Sequence, residues 1–408
     1  MESIKYLYRI GRGPSSSHTM GPQFAAEKFK SLAPSSKKYR VTLYGSLAAT
    51  GKGHLTDIVV KDTLAPSKVE FVWKPEESLP LHPNGMIFEA FNSEGNLIKR
   101  WEVYSVGGGE IEDRENWDKT SSHIYNLKTM DSILNWCRQN GTQLWEYVEA
   151  VEGKDIWPFL EEIWQAMKEA IKKGLKNEGL LPGKLHLARK ASSYYIKARN
   201  AGPGVKALGK VFAYALAVAE ENASGSVIVT APTCGSSGVV PAVLRYLKEA
   251  YGFEKEKILR ALATAGLIGN LVKHNASVSG AEVGCQGEIG TACAMASSAA
   301  AQLLGGSILQ IEYAAELGIE HHLGLTCDPI GGYVQIPCIE RNAIAAGRAL
   351  DCATYALFSD GTHRISFDEV VQTMKETGLD MDTSYKETAR SGLARHYLNS
   401  EKGEYLKE

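Results

Sequence analysis

Long Ala-rich runs after Gly204 constrain this chain most. They cover 206–223, 239–251, 254–272, 292–304, 340–357 and 367–376, and no long β-branched alternation interrupts them. Runs of this length predict helices, and their small side chains let helix axes approach closely. Upstream, Ile133, Cys137, Leu144 and Val148 recur at helical spacing within 132–148, and 156–175 and 187–196 continue in the same manner. An all-helical domain is expected over 155–400.

The first part has another texture. The segments 39–44, 68–73, 85–90 and 97–105 read as strands. Pro75, Pro80 and Pro83 punctuate their connections, and Gly107-Gly108-Gly109 stops the last. Helices are expected around 24–32 and 48–60. The predicted fold class is therefore α+β: an α/β domain over 1–150, then an all-helical catalytic domain, with the boundary near 120–155.

Composition excludes several partners. A formal net charge of −2 gives no electrostatic case for nucleic acid or an anionic membrane. The segment 289–309 is the best membrane candidate, but its small, weakly hydrophobic residues suit a close-packed buried helix better. The N-terminus lacks the apolar core of a secretory signal, and the seven cysteines are an odd number. A reduced, cytoplasmic protein that does not enter a membrane is expected. Symmetric dimers are the commonest assembly of soluble enzymes, so a homodimer is the expectation here.

Three cysteines lie in Gly/Pro-marked loops rather than on an apolar periodicity: Cys285 after Gly284, Cys327 before Asp-Pro-Ile-Gly-Gly, and Cys338 after Pro337. Such residues bend backbone and permit close approach. The spacing is neither that of a zinc ribbon nor a tight ferredoxin run, which leaves buried free thiols and dispersed cluster ligands both open. Cys137, Cys293 and Cys352 sit in apolar helical sequence and are assigned to packing. Cys234 opens a Gly/Ser segment before a helix. That segment is either a plain cap or a carboxylate receiver, and Cys234 is a reserve metal ligand.

Two further clusters sit in the first part. Gly13-Pro-Ser-Ser-Ser-His-Thr-Met-Gly-Pro22 places Ser15, Ser16, Ser17, His18 and Thr19 in one loop able to bind an anion. Gly51-Lys-Gly-His54 invites a P-loop reading that fails, because Ser46 stands where a glycine is required and Gly53 where Ser or Thr would bind magnesium. His54 reads instead as a proton carrier. His321 and His322 precede the Cys327 loop, and at most one of two adjacent helical residues should face it.

Taken together, Gly13-Pro-Ser-Ser-Ser-His-Thr19, Gly45-Ser-Leu, Gly51-Lys-Gly-His54, Ser279-Gly-Ala-Glu-Val-Gly-Cys-Gln-Gly-Glu288, Glu320-His-His-Leu-Gly-Leu-Thr-Cys-Asp-Pro-Ile-Gly-Gly332 and Gln335-Ile-Pro-Cys-Ile-Glu-Arg-Asn342 closely resemble the iron–sulfur-dependent L-serine dehydratases, in the form that carries both domains on one polypeptide. The resemblance implies a [4Fe–4S] cluster on Cys285, Cys327 and Cys338, and deamination of L-serine to pyruvate and ammonia without pyridoxal phosphate. That places the chain in serine catabolism and gluconeogenesis. It also implies a free iron acting as Lewis acid. His18 and His54 would then handle the proton at the domain interface, and Ser15, Ser16, Ser17 and Thr19 would hold the substrate.

Two departures stand out. The tail from 400 to 408 has no cysteine to reach the fourth iron, so water or another ligand is expected there. Ser391 replaces a glycine usual in the family's Gly-Gly-Leu-Ala segment. Rival readings are a hydro-lyase or desulfidase acting on L-threonine or L-cysteine, a cluster-bearing sensor that binds nucleic acid, and a pyridoxal-phosphate lyase. A single methyl is worth only about 1–3 kcal/mol of discrimination, so threonine turnover stays open.

Overall fold

The computed structural model describes residues 1–115, 123–400 and 403. Most of the tail on which the missing-cysteine expectation rests, and part of the expected boundary region, lie outside them. An α/β part is followed by a helical part, the expected α+β class.

A short strand, β1 (Ile10–Arg12), precedes the mixed sheet. That sheet holds β2 (Lys38–Tyr44), β3 (Lys68–Lys74), β4 (Gly85–Phe91), β5 (Leu97–Gly107) and β6 (Glu110–Asp113), in the order β3-β2-β4-β5-β6. Only β2 and β3 run parallel; the other pairs are antiparallel. The parallel pair needs a crossover, which the helices Gly45–Thr50 and Thr56–Leu64 supply. Alternation along β2 and β4 sends Val41, Leu43, Met86 and Phe88 inward, where they meet Ala25 and Phe29 of the helix Gly21–Leu32 and Val60 and Leu64 of Thr56–Leu64.

One helix was expected over 48–60, but two form. The chain turns through 51–55 and re-enters helix after Leu55, which takes a left-handed φ of 58°. That turn carries His54. The expected helix over 132–148 is also two, Met130–Asn140 and Leu144–Glu152, because Gly141 adopts φ 64° and caps the first. The helix Ile308–Glu320 was not foreseen. Neither was β1, which pairs antiparallel with β7 (Val227–Val229).

In the helical part Thr291–Leu303 is the centre, and every residue from Thr291 to Ala301 is buried. This is the close-packed helix expected within 289–309. Small residues set the spacing around it: a Cβ on Gly318 would lie 2.7 Å from the Ala294 backbone. Backbone cannot yield as a side-chain tip can, so Gly318→Ala is expected to cost about 1–3 kcal/mol in urea unfolding. No helix among the described residues is long and apolar enough to cross a membrane.

Core membership does not follow chain order. Met1, Ile4, Leu7 and Tyr8 are buried in the helical core, where the Tyr8 hydroxyl donates to Leu262 O at 2.9 Å. The pairing of β1 with β7 then delivers the chain into the Ser-Ser-Ser-His loop. There the Asn222 amide donates to Pro14 O at 2.8 Å. The loop is thus fixed to the helical part before the α/β part begins.

Candidate active site

Ser16–Met20 and Gln286–Gly290 each form one π-helical turn, continued by an α-helix. Such turns cost backbone regularity and concentrate at functional sites. The first carries His18; the second follows Cys285 and carries Glu288.

His18 and His54 are fully buried, with ring centroids 4.6 Å apart and edge-to-face. Two threonines tie their backbones together: Thr19 Oγ1 donates to His54 O at 2.7 Å, and Thr56 Oγ1 to His18 O at 2.5 Å. Thr19 Oγ1 also accepts from Ser15 N at 3.0 Å. The Thr19 hydroxyl, expected to hold substrate, is therefore engaged in joining the two histidine loops. Ser15 Oγ accepts from His18 N, and Ser17 Oγ lies 2.9 Å from His18 Nδ1. Ser16 is buried beside them.

The tautomers follow from the hydroxyl bookkeeping. Ser46 Oγ donates to Glu387 O at 3.2 Å, so in its 3.0 Å contact with His18 Nε2 it accepts, and Nε2 bears the proton. Thr50 Oγ1 donates to Ser46 O at 3.0 Å, so in its 3.2 Å contact with His54 Nδ1 it also accepts. His54 Nε2 is left as a bare lone pair, buried and without a hydrogen-bond partner among the described residues. Burial pushes His18 down to about 3, and it holds His54 well below its ordinary value, helped by His18 alongside.

Two of the three loop cysteines meet here, and the third, Cys338, stands near enough for its charge to interact with that of Cys285. Cys285, Cys327 and Cys338 are all buried, and the Cys285 and Cys327 sulfurs lie within 4.8 Å of each other and of a Glu288 carboxylate oxygen. Burial and the charge at Cys285 both hold the Cys338 thiol up. The Cys285 thiol is pushed down to about 6 by its hydrogen bond with Cys327 and, against burial, by the charge of Arg341. Arg341 is fixed by Nη1 donating to Thr326 O at 2.6 Å. Cys285 and Cys338 also stand at helix N-termini, where the dipole favours thiolate.

Glycines make the halves meet. A Cβ on Gly53 would lie 2.7 Å from Gly332 O, so the His54 turn abuts the Cys327 loop directly. A Cβ on Gly280 would sit 3.2 Å from Cys327 Sγ. Across the same interface His82 Nε2 lies 3.2 Å from Glu282 Oε1.

The remaining expected ligands lie elsewhere or are otherwise occupied. Cys234 is buried beside Glu288, and its loop does receive a carboxylate, the protein's own: Thr233 Oγ1 donates to Glu288 Oε1 at 2.7 Å. Cys137, Cys293 and Cys352 are buried in helices, as packing predicts. His321 and His322 each place Nδ1 on a carbonyl of the preceding helix turn.

Sequence reasoning missed Glu387. Cys327 N donates to Tyr385 O at 2.8 Å and Glu387 N to Cys327 O at 2.7 Å, which lays the 385–387 backbone against the cysteine loop. Its carboxylate, buried, comes 3.4 Å from His18 Nδ1, and burial pushes it up to about 8. In sequence, a Glu between Lys386 and Thr388 reads as a solvated charge.

Residues 3–70 and 62–116 match the family model of the serine dehydratase beta chain, and 95–394 match that of the alpha chain. The chain belongs to the serine dehydratase family. Both of the family's chains are present in this one serine dehydratase polypeptide. It is 42% identical to the L-serine dehydratase of Streptomyces coelicolor, with 96% of this chain and 98% of that one covered. It is 40% identical to the L-serine dehydratase of Haemophilus influenzae and to L-serine dehydratase 1 of Escherichia coli K12, with 97% of this chain and 99% of each relative covered. The two matched regions of this serine dehydratase hold the two halves of the site: His18 and His54 in the first, and Cys285, Cys327, Cys338 and Glu387 in the second.

Proposed function

We propose that this lyase converts L-serine to pyruvate and ammonia, using a [4Fe–4S] cluster held by Cys285, Cys327 and Cys338. The observation that carries the reading is the meeting of the Cys285 and Cys327 thiols, with Cys338 in electrostatic reach, beside two buried neutral histidines from the other half of the chain. The donor set suits the group. Three thiols meet with Arg341 to balance thiolate charge, and Gly280 leaves open the space beside Cys327 that a side chain would fill.

When bound, the cluster would supply a Lewis-acidic iron for the departing hydroxyl. The chain's residues do the rest. His54 Nε2, bare and without a partner among the described residues, takes the α-proton, and Thr50 holds the tautomer that keeps this lone pair available. Ser15, Ser16 and Ser17 present hydroxyls beside His18 for the substrate carboxylate. Burial excludes water, so the α-carbanion character that develops is quenched only by loss of the β-hydroxyl. The resulting enamine hydrolyses to pyruvate and ammonia.

The test is anaerobic reconstitution with iron and sulfide, followed by pyruvate assay on L-serine, D-serine and L-threonine. About four irons per chain and release from L-serine are expected. A chain that holds no iron, or that is brown yet inert on L-serine, overturns the reading.

A further inference from the structure

The substrate assigned above is a zwitterion, and its ammonium must leave water to reach a buried site. An unpaired buried cation is heavily penalised, so an anion has to meet it. Glu288 is a poor choice: Oε1 accepts from Thr233, and Oε2 lies 4.0 Å from Cys285 Sγ. Asp328 is occupied as well, because Oδ2 accepts from Leu393 N at 2.6 Å and Oδ1 from Thr326 at 3.1 Å.

Glu387 differs from both. Among the described residues its carboxyl faces His18, whose Nδ1 lies 3.4 Å away and already receives the Ser17 hydroxyl, so an arriving ammonium can pair with it and its positive charge draws the buried carboxyl into the ionised form. Its backbone is clamped from two sides, N–H to Cys327 O and C=O to Ser46 Oγ, at a left-handed φ of 59° that a glutamate rarely adopts. Strain of this kind persists where surrounding structure imposes it, and here it aims the carboxylate at the histidines. Ligating atoms of Glu387, His18 and His54 all lie within 4.8 Å of one another. One carbon and its attached nitrogen can then be met together, the nitrogen by Glu387 and the hydrogen on carbon by His54.

We infer that Glu387 binds the substrate's α-ammonium and restricts the site to amino acids over the corresponding hydroxy acids. This rests on the serine reading above and deepens it. The ammonium bond also sets the rotation about the Cα–N axis, so the α-hydrogen is presented to His54 Nε2.

The experiment uses reconstituted holoenzyme, wild type and Glu387→Gln, with iron and sulfide quantified in both. KM and kcat are measured on L-serine, and Ki is measured for glycerate, which keeps the carboxylate and hydroxyl but carries a second hydroxyl in place of the ammonium. Expected are equal cluster content, kcat/KM for L-serine lower by about 30-fold or more, mostly through KM, and a glycerate Ki within threefold of wild type. If turnover is too low to assay, calorimetric titration of L-serine and glycerate gives the same comparison. L-serine and glycerate weakening together, or kcat/KM staying within threefold, overturns the role. Wild-type enzyme that releases no pyruvate from L-serine overturns the functional reading instead.

Discussion

Cys327→Ala is expected to yield a folded chain with most of its iron lost and with pyruvate release from L-serine down by at least about 10³-fold. Folding should survive because the loop does not hang on the sulfur. Cys327 N and O are bonded to Tyr385 and Glu387 through backbone alone, and Asp328 takes the Leu393 N–H. Removing one buried sulfur costs little more than a small cavity. Cys293→Ala is the control. That thiol is equally buried, in the central helix rather than at the site, so it should lower stability by about 1 kcal/mol and leave iron content and kcat unchanged. Iron content by colorimetric assay, unfolding in urea and the pyruvate assay separate the two variants. Equal iron in Cys327→Ala and wild type would remove the cysteine trio as the cluster's seat.

The parts of this site that were legible in sequence are those whose chemistry leaves a local mark. Gly and Pro around Cys285, Cys327 and Cys338 report bent backbone wherever the loops end up. The Ser-Ser-Ser-His loop is polar beyond the needs of helix capping. Four strands of the mixed sheet were readable because alternation is local, and their bounds differ from those expected by only one or two residues, whereas Glu110–Asp113 was not foreseen. What escaped depends on distant contacts. The strand Ile10–Arg12 is three residues long and exists only because Val227–Val229 offers it an edge. The helix expected over 48–60 breaks at Leu55, where neither proline nor glycine stands, although Gly51 and Gly53 precede it. Glu387 looks like a surface charge until Cys327, more than fifty residues upstream, pairs with its backbone. The interplay of Ser46 and Thr50, which sets both histidine tautomers, needs atomic positions that no spacing rule encodes.

Those tautomers separate two histidines that sequence could only name together. His18 has both ring nitrogens occupied, Nδ1 facing Ser17 and Nε2 facing Ser46, whereas His54 Nε2 faces no partner among the described residues. His54→Ala is therefore expected to lower kcat by about 10²–10⁴-fold with iron content unchanged, the range typical of a lost general base. Thr50→Val keeps the ring but removes the acceptor that directs its proton to Nδ1. A loss of about 10–100-fold is expected, the size of an orienting partner's effect. The pH dependence supplies a second check. Only neutral His54 can accept the proton, and burial lowers its pKa in the folded protein, so the neutral form persists as pH falls through the ordinary histidine range. The acid limb of kcat should thus lie below pH 6.5, the value for a solvated imidazole. A limb at or above that value in the wild type, or full turnover by His54→Ala with its cluster intact, would exclude His54 as the base and leave its empty face without a role in the reaction.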